Sequence, residues 1–292
     1  SVMVCAPSGS GKTVCAEFAL LRHFKSKNTG KCVYLAPRKE IADVTFENWS
    51  IRLGNVLNVN VVKLGGGADD IKLLAGGDIV IATAMQWDAL SRRWKQRRHV
   101  QNVALYITDE LHLIGGPDGP TIEIVLSRAR YIASQLEQEV RIVGLSAPIA
   151  NAMDVSEWIG VPSKHLFNFK PDDRPAPLLV NLFGFDTNSH QTRLQSMAKP
   201  VYRATVDRNP ACSTIIFVPS KKLAHSTAAD LIAFSTNEGR GEAFLGPNIE
   251  ILRGKIAPIT DTSLRESLNH GIAVLHQGLS SSNQDVAISL FK

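Results

Sequence analysis

The sequence has few cysteines and lacks a long apolar run. Its four cysteines, Cys5, Cys15, Cys32 and Cys212, show neither a CxxC pair nor the Cys/His spacing of a zinc site. We therefore expect reduced thiols in an intracellular protein, without disulfides or zinc. No stretch approaches the ~18 apolar residues that a membrane-spanning helix needs, so we expect no membrane partner. Low-complexity tracts and short-period repeats are also lacking.

What is present is the composition of ordinary globular domains. Hydrophobic residues make up 44% and charged residues 20% of 292 positions, which excludes global disorder and predicts about two domains. The 32 basic and 27 acidic residues give a net charge of +5, which permits a nucleic acid partner without requiring one. The chain opens on an apolar, strand-like stretch at Ser1 and closes at Lys292 inside a predicted helix, so we expect a longer protein.

Short β-branched runs alternate with longer amphipathic stretches, which predicts an α/β fold with a parallel sheet covered by helices. Helix Thr121–Ser134 is the clearest, because its apolar residues recur at i, i+3, i+4 and i+7. Six strands are predicted in the first half: Val2–Cys5, Cys32–Ala36, Val59–Leu64, Ile79–Ala82, Ala104–Thr108 and Val140–Leu145.

A proline-rich segment interrupts this alternation. Prolines bias their predecessors away from helix, so Lys170–Pro177 is predicted to be an extended linker, with a boundary near 175 between domains 1–175 and 176–292. The second domain is short, and we expect it to be truncated, without its last strands. Its predicted elements are strands Leu178–Phe183, Thr214–Val218 and Ile272–Leu275, and a glycine-rich loop at Glu238–Pro247.

The most specific motif is a phosphate-binding loop. It lies directly after a predicted strand and before a predicted helix at 11–25, the context in which such a motif is informative. Gly9 and Gly11 would let backbone N–H groups turn toward the phosphates of ATP, Lys12 would bind them, and the Thr13 hydroxyl would hold Mg²⁺. The strict pattern has Gly where this chain has Ala6, and a loop that merely caps a helix is the alternative. The candidate nucleotide-binding residues are Ser8, Gly9, Ser10, Gly11, Lys12 and Thr13.

An acidic motif, Asp109-Glu110-Leu111-His112, follows the predicted strand Ala104–Thr108. Asp109 would coordinate Mg²⁺ through water, and Glu110 would orient and deprotonate the attacking water. His112 would connect the nucleotide site to the rest of the protein. A strand exit with an N-capping aspartate is the alternative, but the phosphate-binding loop favours the catalytic interpretation.

Together these motifs resemble the DExH-box RNA helicases of superfamily 2. The resemblance implies two tandem RecA-like P-loop NTPase domains with ATP in the cleft between them. It also implies a coupling motif at Ser146, Ala147 and Pro148. The positions that it places against RNA are Pro37, Arg38, Thr83, Pro219, Ser220, His276, Gln277 and Gly278.

Several segments are similar to a narrower group, the large tri-snRNP helicases of the spliceosome, and within them to the second of two tandem cassettes. They are Trp87-Asp88, 91–102, Gly119-Pro120, 127–134 and 191–200. The similarity runs over nearly the whole chain and weakens between about 236 and 260. It implies a nuclear protein whose partners are paired small nuclear RNAs, other tri-snRNP proteins and the other cassette. The helicases of the activating signal cointegrator complex share the general pattern and are an alternative.

The sequence departs from a working motor at three points. Pro148 stands where the family has Thr, so a hydroxyl and a backbone N–H are both lost. Met85-Gln86 replaces an acidic-basic pair. The later motifs that carry the arginine finger would lie beyond Lys292, and their loss costs about 10³-fold or more in rate. The resemblance likewise implies a cassette that binds nucleotide, turns over weakly and regulates its active neighbour, although the residues for catalysis are present.

A basic cluster interrupted by tryptophans leaves two interpretations open. It could bind RNA phosphates and stack bases, or it could be a solvated surface anchored by its tryptophans. Arg128 and Arg130 could likewise form intradomain links or contact RNA. The cluster comprises Arg92, Arg93, Lys95, Arg97 and Arg98, with Trp87 and Trp94.

Overall fold

The computed structural model describes residues 1–26, 30–207, 213–245 and 249–291. They form two compact units, Ser1–Val180 and Asn181–Lys292. Assignment of both as RecA-like domains stays a prediction. Over the described residues no helix is both long and apolar enough to cross a membrane. Cys5, Cys15 and Cys32 are free thiols, and Cys212 lies outside the described residues.

The first unit is built on a seven-stranded sheet with the order β3-β4-β2-β5-β6-β1-β7, in which every pairing is parallel. The prediction of an α/β fold with a parallel sheet is therefore confirmed. The strands are β1 Val2–Cys5, β2 Lys31–Ala36, β3 Val61–Lys63, β4 Ile79–Thr83, β5 Val103–Thr108, β6 Arg141–Ser146 and β7 Leu166–Asn168.

The central strands read as continuous apolar runs because helices cover both faces of the sheet. All six residues of β2 are buried. The six strands predicted in this half are present, and their ends differ from the predicted ones by at most two residues. Strand β7 was not predicted. It pairs only with β1, at the edge of the sheet, and its last two side chains are exposed. Its three residues therefore do not show the longer apolar run of a buried strand.

Helices of the first unit pack on the two faces of the sheet. Helix α1 places Ala16 and Leu20 in the same apolar cluster as Tyr34. Helix α7, which extends beyond both ends of its predicted range, contributes Val125 and Leu126 to the cluster on the other face. The helices are α1 Lys12–Lys25, α2 Lys39–Trp49 with a π-helical extension at Ser50–Gly54, α3 Asn55–Leu57, α4 Asp70–Gly76, α5 Ala84–Ser91, α6 Arg98–Gln101, α7 Gly119–Gln135 and α8 Ala152–Trp158.

The regular secondary structure in the described part of the second unit is helical. Its helices are α9 His190–Ser196, α10 Ala198–Val206, α11 Lys221–Asn237, α12 Ile249–Ile256, α13 Thr262–Asn269 and α14 Ser281–Phe291. A small apolar cluster that includes Ile256, Leu264 and Leu268 joins α12 to α13. Between Glu238 and Leu245 the chain forms turns, as the glycine-rich loop predicts, and Gly246 and Pro247 lie outside the described residues.

The three strands predicted at Leu178–Phe183, Thr214–Val218 and Ile272–Leu275 are wrong, since none of these residues is in a strand. Their β-branched composition is strand-like, but a strand also needs a neighbour that pairs with its N–H and C=O groups. Leu182 and Phe217 are each 91% exposed, so these two side chains are not part of an apolar core.

Candidate nucleotide site

The sheet topology brings the predicted catalytic loops to one edge. Because all strands are parallel, the loops after β1, β5 and β6 leave from their carboxyl ends on the same side. Strand β6 lies between β1 and β5, so Ser146 at its end separates the phosphate-binding loop from the acidic motif. The Ala6 N–H donates to the Ser146 carbonyl at 2.9 Å, which fixes the loop to the coupling motif.

The phosphate-binding loop has a backbone that requires glycine. Gly9 and Gly11 have φ angles of 83° and 86°, in the left-handed region where other residues are strained. Gly11 is the N-cap of α1 and neither serine of the loop caps the helix, which argues against a loop that serves only as a cap. Lys12 Nζ donates to the carbonyls of Ala6 at 2.8 Å and Pro7 at 3.2 Å. Ser8 and Thr13 are exposed, and Ser10 Oγ donates to Pro7.

Asp109 is held from two sides. The Tyr34 hydroxyl donates to Oδ2 at 2.7 Å and the Glu110 N–H donates to Oδ1 at 2.9 Å. Burial, followed by the negative charge of Asp109, raises the pKa of Tyr34, so its hydroxyl keeps the proton that it donates. Sequence reasoning missed Tyr34, because a tyrosine inside an apolar strand looks like an ordinary core residue.

Glu110 has a φ of 48°, which is unusual for a residue with a side chain. Its carboxylate is partly exposed and lies 3.4 Å from Nδ1 of His112. The same Nδ1 accepts the N–H of Ala147 at 3.1 Å. The structure therefore brings the predicted coupling residues His112 and Ala147 into direct contact, and Pro148 follows them in partly exposed backbone.

These residues fit Mg-ATP. Mg²⁺ prefers oxygen ligands and is usually bound by one or two protein groups together with substrate phosphates. The Thr13 hydroxyl and the Asp109 carboxylate are such groups. Thr108 Oγ1, next to Asp109, is buried without a hydrogen-bond partner among the described residues. Among the described residues there is no group of three or more His, Cys, Asp or Glu side chains that could hold a metal ion. These residues therefore form no metal site built from those side chains alone.

The positions predicted to contact RNA in the first unit lie on the neighbouring half of the same edge. Thr83 is the register partner of Ala36, which places it beside Pro37 and the exposed Arg38. Thr83 caps α5 through a capping box: its hydroxyl accepts from Gln86 N–H, and Gln86 Oε1 accepts from Thr83 N–H at 2.8 Å. The substituted Gln86 is thus a structural partner of Thr83.

The remaining RNA-contact predictions fall in the second unit, which is described by itself. Ser220 is the N-cap of α11, where its hydroxyl accepts from Leu223 N–H. His276 Nδ1 accepts the Gly278 N–H at 3.0 Å, and Gln277 is exposed. Pro219 is likewise exposed, two residues before the start of α11.

The tryptophans of the basic cluster are anchored in the first unit. Trp87 is fully buried, and Trp94 packs edge-on against Tyr131 at 6.3 Å. Arg92 pairs with Asp88, and Arg97 donates to the carbonyl of Leu90. The fully buried Trp87 offers no face for stacking bases. Arg128 also pairs with Asp88, and Arg130 donates to the Trp158 carbonyl, so both arginines form intradomain links.

The comparisons with known proteins agree with this geometry. A DEAD/DEAH box helicase model matches residues 1–155. Over its full length the chain is 47% identical to the DExH-box ATP-dependent RNA helicase DExH12 of Arabidopsis thaliana and 44% identical to the human U5 small nuclear ribonucleoprotein 200 kDa helicase. It is 41% identical to the pre-mRNA-splicing factor brr2 of Schizosaccharomyces pombe. The chain spans only 13–14% of the length of these relatives.

Solved structures support the fold. The DUF1998 helicase MrfA bound to DNA and AMPPNP superposes with a TM-score of 0.59 at 18% identity, over 88% of this chain and 38% of that one. The family model covers more than half of the chain and includes both the phosphate-binding loop and the acidic motif. The chain therefore belongs to the DEAD/DEAH box helicase family, as a DExH-box member that resembles the splicing helicases among its relatives.

Proposed function

We propose that this chain is an ATP-binding cassette of a nuclear spliceosomal RNA helicase that unwinds paired small nuclear RNAs. The cassette binds Mg-ATP, turns it over weakly, and regulates or scaffolds a tandem active cassette among other tri-snRNP proteins. The observation that carries the nucleotide part is the position of the Lys12 loop and of Asp109 and Glu110 at the same edge of the sheet, after β1 and β5, with β6 between them. The splicing part rests on relatives named as a U5 snRNP helicase and a pre-mRNA-splicing factor.

The residues of the chain divide the chemistry among them. Lys12 now donates to two carbonyls of its own loop, and on binding ATP it would exchange these for charge-assisted bonds to phosphate oxygens. Thr13 and Asp109 would hold Mg²⁺, whose charge neutralises the phosphate oxygens. Glu110 would orient the attacking water and accept its proton on the carboxylate. In this arrangement the nucleotide would bind at the carboxyl ends of β5, β6 and β1, and RNA would bind at the carboxyl ends of β4 and β2.

Weak turnover follows from the coupling motif. The Ala147 N–H is already bonded to His112, and Pro148 has no N–H to donate. The segment therefore lacks the donors through which a Thr at this position would sense the phosphates. The presence of Lys12 and Glu110 supports the alternative, a fully active RNA-stimulated ATPase.

The test is ATP turnover by the intact polypeptide, with and without RNA, beside a Glu110→Gln variant. Any other cassette is unchanged in this pair, so the difference isolates this site. Binding of a fluorescent ATP analogue that depends on Lys12, with turnover equal in the two proteins, would support a nucleotide-responsive scaffold. A share of RNA-stimulated turnover that is present in the wild type and lost in the Glu110→Gln variant would show a working motor instead.

A second experiment separates the spliceosome from the activating signal cointegrator complex. The intact polypeptide is purified from cells with its bound proteins. Tri-snRNP proteins are expected. Cointegrator subunits in their place would overturn the splicing assignment and leave the nucleotide site untouched.

A further inference from the structure

The two groups expected to hold Mg²⁺ come from strands that are not neighbours. Thr13 lies in the first turn of α1, which follows β1. Asp109 follows β5, and β6 lies between β1 and β5. Strands in a sheet are about 4.8 Å apart, so the two supports are separated by roughly 10 Å of sheet. The pairing of the strands alone does not fix the orientation of the Asp109 carboxylate relative to Thr13.

A chain of buried contacts joins the two supports. Tyr34, which donates to Asp109, packs edge-on against Trp49 with ring centroids 4.9 Å apart. Both rings are almost completely buried. The Trp49 indole N–H donates to Glu17 Oε1 at 3.2 Å, and Glu17 lies on α1, one turn after Thr13.

The outer end of this chain is also fixed. Glu17 is mostly buried and accepts from Arg52, at the π-helical extension of α2, at 3.0 Å. Its carboxylate therefore cannot turn away from Trp49 without giving up an ion pair. The contacts thus run without a gap from the helix that carries Thr13 to the carboxylate of Asp109.

We propose that Tyr34 and Trp49 are positioning residues that hold the Asp109 carboxylate in register with Thr13 for Mg²⁺. This inference rests on the proposed function, since it assumes that the site binds Mg-ATP. Tyr34 does not touch the ion in this scheme. Its hydroxyl occupies one lone pair of Oδ2 and leaves the outward ones for magnesium-bound water.

The test is Tyr34→Phe, which removes the hydroxyl and keeps the ring on Trp49. A fluorescent ATP analogue is titrated at increasing Mg²⁺, and again in EDTA, so that no turnover is needed. We expect the Mg²⁺ concentration for half-maximal enhancement of binding to rise about tenfold, as for loss of a hydrogen bond to a charged group. Affinity in EDTA should stay near that of the wild type, which a merely structural role would not combine with a magnesium defect.

Tyr106→Phe is the matched control, because Tyr106 is about as buried as Tyr34 but packs in the apolar cluster on the other face of the sheet. Trp49→Phe is the second variant: it keeps an aromatic ring, loses the bond to Glu17, and should raise the Mg²⁺ requirement less than Tyr34→Phe. If Tyr34→Phe and Trp49→Phe match the control while the wild type binds Mg-nucleotide, this inference is wrong and the proposed function stands. If the wild type shows no Mg²⁺-dependent binding, the proposed function fails and the inference with it.

Discussion

The backbone N–H of Ala147 donates to Nδ1 of His112, which joins the end of β6 to the acidic motif. Nδ1 also lies 3.4 Å from Glu110 Oε2, so one ring nitrogen faces both the coupling motif and the predicted catalytic carboxylate. The imidazole of His112 therefore connects the nucleotide side to the coupling motif.

We expect His112→Phe to uncouple the two ligands while leaving each binding reaction intact. Phenylalanine keeps a ring of similar shape and cannot accept the Ala147 N–H. Coupling between two sites commonly changes affinity by about 5- to 150-fold. In His112→Phe, the factor by which RNA changes the affinity for ATP should be about tenfold smaller than in the wild type. The measurement is the affinity for an ATP analogue with and without RNA. The exposed His165→Phe is the control, and an unchanged RNA effect in His112→Phe would contradict the prediction.

A second prediction concerns backbone strain at Glu110. Its left-handed conformation costs an L-residue roughly 1–2 kcal/mol, which glycine does not incur. We expect the free energy of unfolding of Glu110→Gly to exceed that of Glu110→Gln by about 1 kcal/mol. Both variants should lose whatever turnover the site supports, because neither can accept a proton.

Urea unfolding followed by tryptophan fluorescence measures this difference. All four tryptophans, Trp49, Trp87, Trp94 and Trp158, lie in the first unit, so the signal reports on that unit. Asn58 has a φ of 52° and Asn tolerates this region, so Asn58→Gly should change stability little. A Glu110→Gly protein less stable than Glu110→Gln would show that Glu110 is not strained.

The first unit was predictable because its signals are local. The phosphate-binding loop is one continuous motif, and strands buried on both faces, such as β2, read as apolar runs. Thr214–Val218 has the same composition, but strand formation depends on a pairing partner that composition does not encode. The role of Tyr34 was hidden for a similar reason, since its contact with Asp109 joins residues 75 positions apart in sequence.

The third prediction concerns Asp88, which ties α5 to α7. Burial by itself would raise the pKa of its carboxyl, but the hydrogen bonds and charges of Arg92 and Arg128 outweigh burial and hold the pKa below its usual value. Because the folded pKa lies below the unfolded one of about 3.9, the carboxylate stabilises the fold above that pH. The contribution is lost as the pH falls below about 4 and through the folded pKa.

We therefore expect Asp88→Asn to lower the free energy of unfolding by about 2 kcal/mol at pH 7, as for hydrogen bonds to a charged group. Tryptophan fluorescence in urea at pH 7 and pH 3 measures it, and the difference from wild type should shrink at pH 3. Arg92 is exposed, so Arg92→Ala should lower the free energy of unfolding less than Asp88→Asn does. A deficit of equal size at both pH values would mean that the charge of Asp88 contributes nothing.

The last prediction tests whether Pro148 limits this cassette. Pro148→Thr restores a hydroxyl and a backbone N–H, whereas Pro148→Ala restores the N–H alone. We expect the threonine variant to increase the Lys12-dependent share of RNA-stimulated ATP turnover about five- to tenfold, a typical coupling effect, and the alanine variant to increase it less. Affinity for the ATP analogue should not change, because Pro148 lies outside the 8–13 loop. Adding Lys12→Ala should abolish the gain, which assigns it to this site. If Pro148→Thr turns over ATP no faster than the wild type, the proline is not what restrains hydrolysis, and the weak activity must originate on the RNA side, where Gln86 and Thr83 cap α5.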